Sequence, residues 1–339
     1  MNEGRKRALQ LALGLAVSGA VIWWAFREID WRASWQYIVG AHRGWVLLAV
    51  VLATLPFPLR VPRWRLLLRH EDGSALAWRP LWHAIAIGFA ANNVLPFRAG
   101  EVLRVAAASR GARLPFATVL SSVAVERVMD ALVAAGLLST ALVLAEIDPA
   151  LTLSEGGRPI AAVANTVGLL GLAALAVAAL MAWQRDHAIA LLRRLLPASR
   201  LGDALVHFAE RILLGIAALG RPSTGVAVLA WSLVVWLCNA ASFQAMFHAF
   251  GFAIPFTGAL ILQGALMIGI ALPQAPGYVG MFETAMAGTL AALYGIPLEA
   301  GFAYGLLYHV TTFIPITLLG AWSAVTTGVR RPAPTEVAP

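Results

Sequence analysis

Three ionisable residues stand close together inside a long apolar stretch. Glu126, Arg127 and Asp130 lie within the segment 115–145. Glu126 and Asp130 are four residues apart, so a helix would present both on one face. Ionisable groups at membrane depth are costly and often mark a substrate path. The group is either a structural ion pair that locks helices together or a charged lining that contacts a polar headgroup.

A second polar group surrounds a break in an apolar segment. Asn92 and Asn93 precede the break, and Arg98, Glu101 and Arg104 follow it at intervals of three. The two amides either hydrogen-bond a headgroup or cap the broken helix. The arginines either form a basic rim at the membrane surface or hold a phosphate, which suits the planar guanidinium.

A third group follows a second break. Tyr278 and Glu283 lie just beyond it, and His309 lies further on in the last long apolar segment. A carboxylate at that depth needs a partner or a proton. Arg127 and His309 are the candidate partners of Glu283. His309 is either a structural histidine or part of a proton relay.

Composition identifies the surroundings of these groups as a membrane. Of the 339 residues, 60% are hydrophobic and 12% are charged, and the mean hydropathy is +0.77. These values exclude a soluble enzyme, a disordered chain and a secreted disulfide scaffold. Cys238 is the one cysteine, so no intrachain disulfide can form. Arginine far outnumbers lysine, of which Lys6 is the only one, which suggests a bacterial source.

The apolar runs predict an all-α polytopic membrane protein with about six spans. The candidate spans are 8–26, 44–61, 115–145, 159–183, 223–250 and 298–326. The first run could also be a signal peptide cleaved near Ala20. We interpret it as an uncleaved span, because the run continues without a break to Phe26.

Arginine-rich segments predict the orientation. Both termini and the segments 60–79, 98–113 and 184–222 are basic and are therefore expected in the cytoplasm. The segment 146–158 is acidic and is expected outside. The net charge of +8 is thus assigned to topology and to contact with anionic lipid headgroups, not to nucleic acid.

Two apolar segments, 81–96 and 257–293, are broken by proline and glycine. The sides assigned to the arginine-rich segments are mutually consistent only if each of these two apolar segments enters and leaves the membrane on one side. The first does so from the cytoplasm and the second from outside. Pro115 and Pro297 then open the long helices that follow the two segments. The sequence therefore predicts two oppositely oriented re-entrant hairpins related as an inverted repeat, the arrangement that marks a substrate site in transporters.

The remaining segments complete one membrane domain over residues 1–330. The segment 184–222 is predicted to form amphipathic helices on the cytoplasmic surface, and 331–339 a disordered tail. The sequence lacks a phosphate-binding GxxxxGK[ST] loop, an HExxH motif and a GxSxG motif. No cofactor, no metal and no enzymatic activity are expected of this chain.

Three motifs in this order resemble one family. They are Leu95-Pro96-Phe97-Arg98-Ala99-Gly100-Glu101, Glu126-Arg127-Val128-Met129-Asp130, and the stretch from Pro273 to Glu283 that reads PQAPGYVGMFE. The chain is similar over about residues 10–330 to the lysylphosphatidylglycerol synthase transmembrane-domain family. It looks like a stand-alone member without the soluble aminoacyltransferase domain. Two positions depart from the family pattern: Tyr278 replaces a glycine and His309 replaces an arginine.

The resemblance implies a flippase-like protein of the bacterial inner membrane. The expected substrate is an aminoacyl-phospholipid, a glycolipid, or a polyprenol-linked or hopanoid lipid, moved between leaflets without an ATPase of its own. The lipid and its synthesis enzymes are the expected partners. The alternatives are an embedded transferase, with Glu126, Asp130 or Glu283 as general base, and a scaffold of a lipid-synthesis complex.

Overall fold

The structure is a computed structural model that describes most of the chain. It covers residues 29–70, 72–95, 98–145, 184–197, 222–271 and 276–328, with single further positions between 27 and 210. The predicted span 8–26, the loop 146–158 and the tail 331–339 lie outside the described residues, as does the span 159–183 except for three single positions. The choice between a signal peptide and a first span lies there too.

The described residues are helical, and no strand is found among them, so the predicted all-α fold is confirmed. The helices are α1 Trp31–Gly40, α2 Arg43–Thr54, α3 Pro56–Leu67, α4 Trp78–Val94, α5 Ala99–Ala112, α6 Phe116–Leu144, α7 Arg185–Leu195, α8 Pro222–Phe250, α9 Phe256–Ala271, α10 Met281–Tyr294 and α11 Leu298–Thr326. A short 3₁₀ helix, Pro276–Tyr278, separates α9 from α10.

Four stretches of the described chain are long and apolar enough to cross a membrane. They are Arg43–Leu67, Phe116–Leu144, Ser223–Phe250 and Leu298–Thr326. Their outward surfaces carry exposed aliphatic side chains such as Leu47, Val143 and Leu318, as a lipid-facing surface requires. The first span combines α2 and α3 and ends six residues later than predicted from the sequence.

The first broken segment is a helical hairpin made of α4 and α5. The helices are antiparallel, because Pro80 lies against Gly111 at one end and Gly88 lies against Gly100 nearer the other. A Cβ on Gly100 would overlap the carbonyl oxygen of Gly88, so only glycine permits this approach. The chain turns back between Leu95 and Arg98.

The sequence prediction for this hairpin is partly wrong. The return arm is α5, whose residues 98–113 are predicted from their arginines to form a cytoplasmic loop. The arm is a helix packed on α4, because Val105 and Ala108 are buried in one apolar cluster with Leu81 and Ile85. Within this arm, Arg104 pairs with Glu126 inside the protein and therefore does not report the side of the membrane.

The second hairpin is made of α9 and α10. At its open end, Gly258 lies against the Tyr294 side chain. At its tip, Gly277, Tyr278 and Gly280 have φ values of 71°, 61° and 93°, which favour glycine. Tyr278 therefore adopts, at one of the family's glycine positions, the conformation that glycine favours.

Helix α4 of the first hairpin and helix α10 of the second each run antiparallel to α11. They pack against opposite ends of it. His83 of α4 contacts Ser323 at 3.1 Å, and further along α4, Asn93 donates to Thr317 at 2.8 Å. From the other end, Ala287 of α10 lies against Gly301. The two tips meet beside the middle of α11, where Gly277 lies against the backbone carbonyl of Asn93. Pro315 of α11 lies at this level.

The two hairpins are thus oppositely oriented, as predicted, and they belong to a repeat. Helices α5 and α10 both have 14 residues, and α6 and α11 both have 29. The offset is the same throughout: each residue from Ala99 to Leu144 has a counterpart 182 positions later, from Met281 to Thr326. Pro115 and Pro297 are the N-caps of the two long helices.

Outside this repeat, α7 lies in the segment 184–222, which is predicted to form amphipathic surface helices. The helix has acidic Asp186 in its first turn and basic Arg193 and Arg194 in its last. Ile189 packs against Val206, while Leu191 and Leu195 remain exposed. The predicted amphipathic character is therefore present, and its place on the cytoplasmic membrane surface stays a prediction.

Candidate functional site

Seven charged side chains from α3, α5 and α6 form a group that we call the charged cluster. It consists of Arg60, Arg63, Glu101, Arg104, Glu126, Arg127 and Asp130. Five of these residues are candidates from the sequence: Glu101, Arg104, Glu126, Arg127 and Asp130. The structure brings those five together.

Glu126 is the centre of the cluster and is fully buried. Both terminal nitrogens of Arg104 donate to the Glu126 carboxylate, one to each oxygen, at 2.8 and 2.9 Å. Arg127 donates to the same carboxylate at 2.6 Å, and Arg63 lies 3.3 Å away. The paired geometry of Arg104 is the strongest arrangement for a guanidinium and a carboxylate, so Glu126 is held firmly in place.

Asp130 lies one turn further along α6 and has its own partners. Arg63 donates to it at 2.5 Å, Arg60 at 3.1 Å, and the indole nitrogen of Trp236 at 3.1 Å. Trp236 belongs to α8, as does Ser232, which accepts a hydrogen bond from Arg63 at 3.1 Å. The cluster therefore ties together α3, α5, α6 and α8.

Aromatic rings fix two of the arginines. The Arg104 guanidinium lies 4.1 Å from the ring centre of Trp64, which donates to Ser122. Arg60 lies 5.3 Å from the ring centre of Phe89. Such contacts favour a cation over a ring face when water is excluded. The arginine positions are thus set by packing as well as by charge.

The cluster opens on one side only. Arg127 is 38% exposed and Glu101 is 29% exposed, and their charged groups are 3.8 Å apart. The other members are buried or nearly so. With four guanidinium groups and three carboxylates, the cluster carries one excess positive charge. Buried Nε groups of Arg60, Arg63 and Arg104 have no hydrogen-bond partner in the described chain.

Glu283 and His309 form a second, separate pair. The Nδ1 atom of His309 lies 2.6 Å from Glu283, and Phe282 stacks on the imidazole at 4.3 Å. The other oxygen of Glu283 accepts the Gly280 amide at 2.8 Å, at the start of α10. Of the two candidate partners for Glu283, His309 is the one in contact, because Arg127 is held in the charged cluster.

The remaining predicted residues lie at the hairpin tips. Asn93 donates to Thr317, which fastens the first tip to α11. Asn92 packs against Gly100, and its side-chain oxygen has no hydrogen-bond partner among the described residues. Arg98 is the N-cap of α5 with a φ of 52°. Tyr278 is in the second tip. The asparagines thus contact protein, and neither caps a helix through a side-chain hydrogen bond.

Sequence reasoning misses Arg60, Arg63 and Trp236. The two arginines count as a cytoplasmic loop in the sequence prediction, but they lie inside the span that ends at Leu67. Arg63 is 0% exposed. A signal was available: two arginines three residues apart share a helix face, and the carboxylates of Glu126 and Asp130 required cations.

The profile of the family described as "Lysylphosphatidylglycerol synthase TM region" matches residues 11–320. The chain belongs to this family. As a family member it has its charged cluster, both hairpin tips and the Glu283–His309 pair inside the matched region. The predicted resemblance is thereby confirmed over nearly the whole chain.

This family member is also similar to a curated protein, "Glycosyltransferase AglD" of Haloferax volcanii. The two are 27% identical over 289 residues, which cover 78% of this chain and 46% of the relative. The chain thus spans about half the length of that relative. The expectation of no enzymatic activity is contradicted, because this relative is a glycosyltransferase.

Proposed function

We propose that this protein binds a membrane lipid with a polar headgroup and carries that headgroup between leaflets, within a process that transfers groups onto lipids. The observation that carries the proposal is the meeting of two opposed hairpin tips beside α11, at Asn93 and Gly277. Backbone interrupted at membrane depth occurs where protein or a wet cavity satisfies it. Opposed broken helices of this kind surround substrate sites in transporters.

The charged cluster supports a lipid with an anionic group. Its excess positive charge favours an anionic group, and the partly exposed guanidinium of Arg127 can donate hydrogen bonds to phosphate oxygens. Arg127 and Glu101 form the exposed side by which a headgroup would arrive. The lipid tails would stay against the apolar outer surface, so only the headgroup needs shelter.

A transferase is the second candidate, and two observations favour it. The glycosyltransferase similarity is one. The other is the Glu283–His309 contact of 2.6 Å at a hairpin tip, because an imidazole that is oriented by a carboxylate is a common general base. In this mechanism, the imidazole would take the proton from a lipid hydroxyl as that oxygen attacks the sugar carbon of a lipid-linked donor. The bond from this carbon to the donor's phosphate would break, and the phosphate would leave with the bonding electrons.

One experiment separates the candidates. The purified protein is placed in liposomes with fluorescent phosphatidylglycerol and phosphatidylethanolamine, with and without lipid-linked sugar donors. Translocation predicts that the label changes leaflet while its mass stays constant. A transferase predicts a product of new mass. If neither occurs, and substitutions at Asn93 and Gly277 leave cellular lipids unchanged, the scaffold interpretation replaces both.

Orientation requires its own test. We expect the loop near Ala75 and the exposed residue Arg110 to lie on the cytoplasmic side, since both are at the open end of the first hairpin. Cysteines at these positions, in a Cys238→Ser background, should react with a membrane-impermeant maleimide from the cytoplasm only. Labelling of position 110 from outside would make the first hairpin a true span and would remove the inverted repeat from the proposal.

A further inference from the structure

The Glu283–His309 pair has a setting that a structural ion pair does not require. It lies where α10 begins, directly after the second tip, and it is almost fully enclosed, with side chains 1% and 9% exposed. Phe282 stacks on one side of the imidazole and the Phe313 ring lies edge-on at 5.8 Å. The pair is therefore isolated from bulk water at the level where the tips meet.

No further charged side chain pairs with Glu283 or His309 in the described chain. The titratable side chains of the helices packed nearby have hydrogen-bond partners of their own. Tyr308 bonds Ser242, Tyr304 donates to the Phe243 carbonyl, and Cys238 contacts the Leu52 carbonyl. Tyr278 lies in the tip itself. The charge of the pair thus depends on its own proton.

The repeat supplies a direct comparison. At the common offset, Glu283 corresponds to Glu101, and His309 corresponds to Arg127. The first pair therefore has a guanidinium, which is always charged, whereas the second has an imidazole, which is a cation only when it holds a second proton. The first pair is also open to solvent on one side, whereas the second is enclosed.

We propose that the Glu283–His309 pair is a proton-binding site that couples lipid movement to the proton gradient. In the proton-loaded form, the imidazolium of His309 faces the carboxylate of Glu283, and the pair is neutral. Release of that proton to water leaves a neutral imidazole, an ionised Glu283 and a net charge of −1. No bond other than N–H is broken or formed.

The unloaded state has a physical consequence at the tip. A buried charge without a counter-charge is unfavourable, and here the Gly280 amide offsets only part of it. An amine or hydroxyl group on a lipid head would complete the site. The imidazolium of His309 and a headgroup thus alternate as the partner of the Glu283 carboxylate, which is the requirement for exchange transport. This inference rests on the proposed translocation function.

The test uses the full chain in proteoliposomes with fluorescent phosphatidylethanolamine, an amine lipid, and phosphatidylglycerol, a diol lipid. A pH difference of about one unit corresponds to a factor of about ten in proton activity. With one proton per lipid, the leaflet ratio at steady state should shift by up to about tenfold. A protonophore should abolish the shift without stopping the equilibration of the label.

Two variants assign the effect to this pair. His309→Arg should keep an ion pair of the kind found at Glu101–Arg127 and should still fold, yet lose the dependence on the pH gradient. Glu283→Gln should lose it too. Glu299→Gln is the matched control, because Glu299 lies in the first turn of α11, outside the pair, and should leave the gradient response unchanged.

A second measurement observes the proton itself. Infrared difference spectra between pH 5 and pH 8 should contain imidazole and carboxylate bands that disappear in both variants. If label moves between leaflets but wild type ignores the gradient, or if His309→Arg retains the response, the proton inference is overturned and translocation stands. If no label moves under any condition, translocation fails and the inference fails with it.

Discussion

The two halves of the repeat use different interactions between equivalent helices, α5 with α6 in the first half and α10 with α11 in the second. In the first half, the contact between α5 and α6 is ionic, with Arg104 gripping Glu126. At the common offset, the counterparts are Met286 and Tyr308, which are buried in an apolar cluster of the second half. Tyr308 shares a hydrogen bond with Ser242 and stacks on Phe243 at 4.3 Å.

This difference indicates that the fold does not need the charges. Buried ion pairs are often replaced by apolar residues without loss of stability, whereas removal of one partner is strongly destabilising. The second half shows the apolar solution in place. The ions of the first half are therefore expected to serve specificity or substrate contact, and the following variants test that expectation.

The largest effect is expected from Arg63→Met. Arg63 contacts both Glu126 and Asp130 with no exposure to solvent, so its loss leaves buried carboxylates short of a partner. The cost is expected to be about 3–5 kcal/mol, enough to prevent accumulation of folded protein. Size-exclusion profiles and thermal unfolding in detergent would measure it. Arg69→Met, whose hydrogen bond to the Gly73 carbonyl is exposed, should behave like wild type.

The next variants replace the ionic contact of the first half by an apolar one. Glu126→Gln alone should destabilise by about 3 kcal/mol, since several guanidinium groups lose their anion. Arg104→Met combined with Glu126→Leu imitates the second half and should recover most of that stability. Lipid translocation should remain lost in the double variant.

Recovery of both yield and translocation in that double variant would contradict the expectation. It would show that the charged cluster only joins helices. Expression level and protein orientation in the liposomes have to be matched, because only the comparison between stability and activity is informative.

A smaller effect is expected at the close contact within the first hairpin. Gly100→Ala places a Cβ against the Gly88 carbonyl and should cost about 1–3 kcal/mol. Gly136→Ala, in the open face of α6, has no atom of the described residues within 4 Å of the new Cβ. It should be neutral or stabilise by up to about 1 kcal/mol. Equal unfolding temperatures for the two variants would exclude the close approach of α4 and α5 as a stability determinant.

The smallest effect concerns equivalent helix ends. Arg113 and Gly295 close α5 and α10 with φ values of 54° and 62°. Glycine adopts this conformation without a Cβ penalty, so Arg113→Gly should stabilise by about 1 kcal/mol. Gly295→Ala should destabilise by a similar amount. A loss of stability in Arg113→Gly would indicate that the arginine side chain contributes more than its backbone strain removes.

Much of this architecture is predictable from the sequence. Apolar runs of span length predict α6, α8 and α11, and the proline and glycine breaks predict both hairpins. Burial of an isolated carboxylate also requires a partner for Glu283, and His309 is one of two candidates. These inferences succeed because they depend on local composition or on the cost of a bare charge in lipid.

The charged cluster is predictable only in part. Arg63 and Asp130 are 67 positions apart, and Trp236 is 106 positions from Asp130. Contacts at such separations depend on which helix faces meet, and no local pattern determines this. Counting arginines as topology signals also misplaces Arg60 and Arg104, since an arginine that finds a buried carboxylate no longer has to lie in water.

Helix α11 has a weak point near its middle. Pro315 contributes no amide hydrogen, so the carbonyl of Thr311 receives no helical bond from it. The helix is thus easiest to bend at the level where the tips meet. One hairpin is fastened to the half before this point and the other to the half after it. A bend there would change the angle between the two hairpins and separate or close their tips, without any change in the contacts within either hairpin.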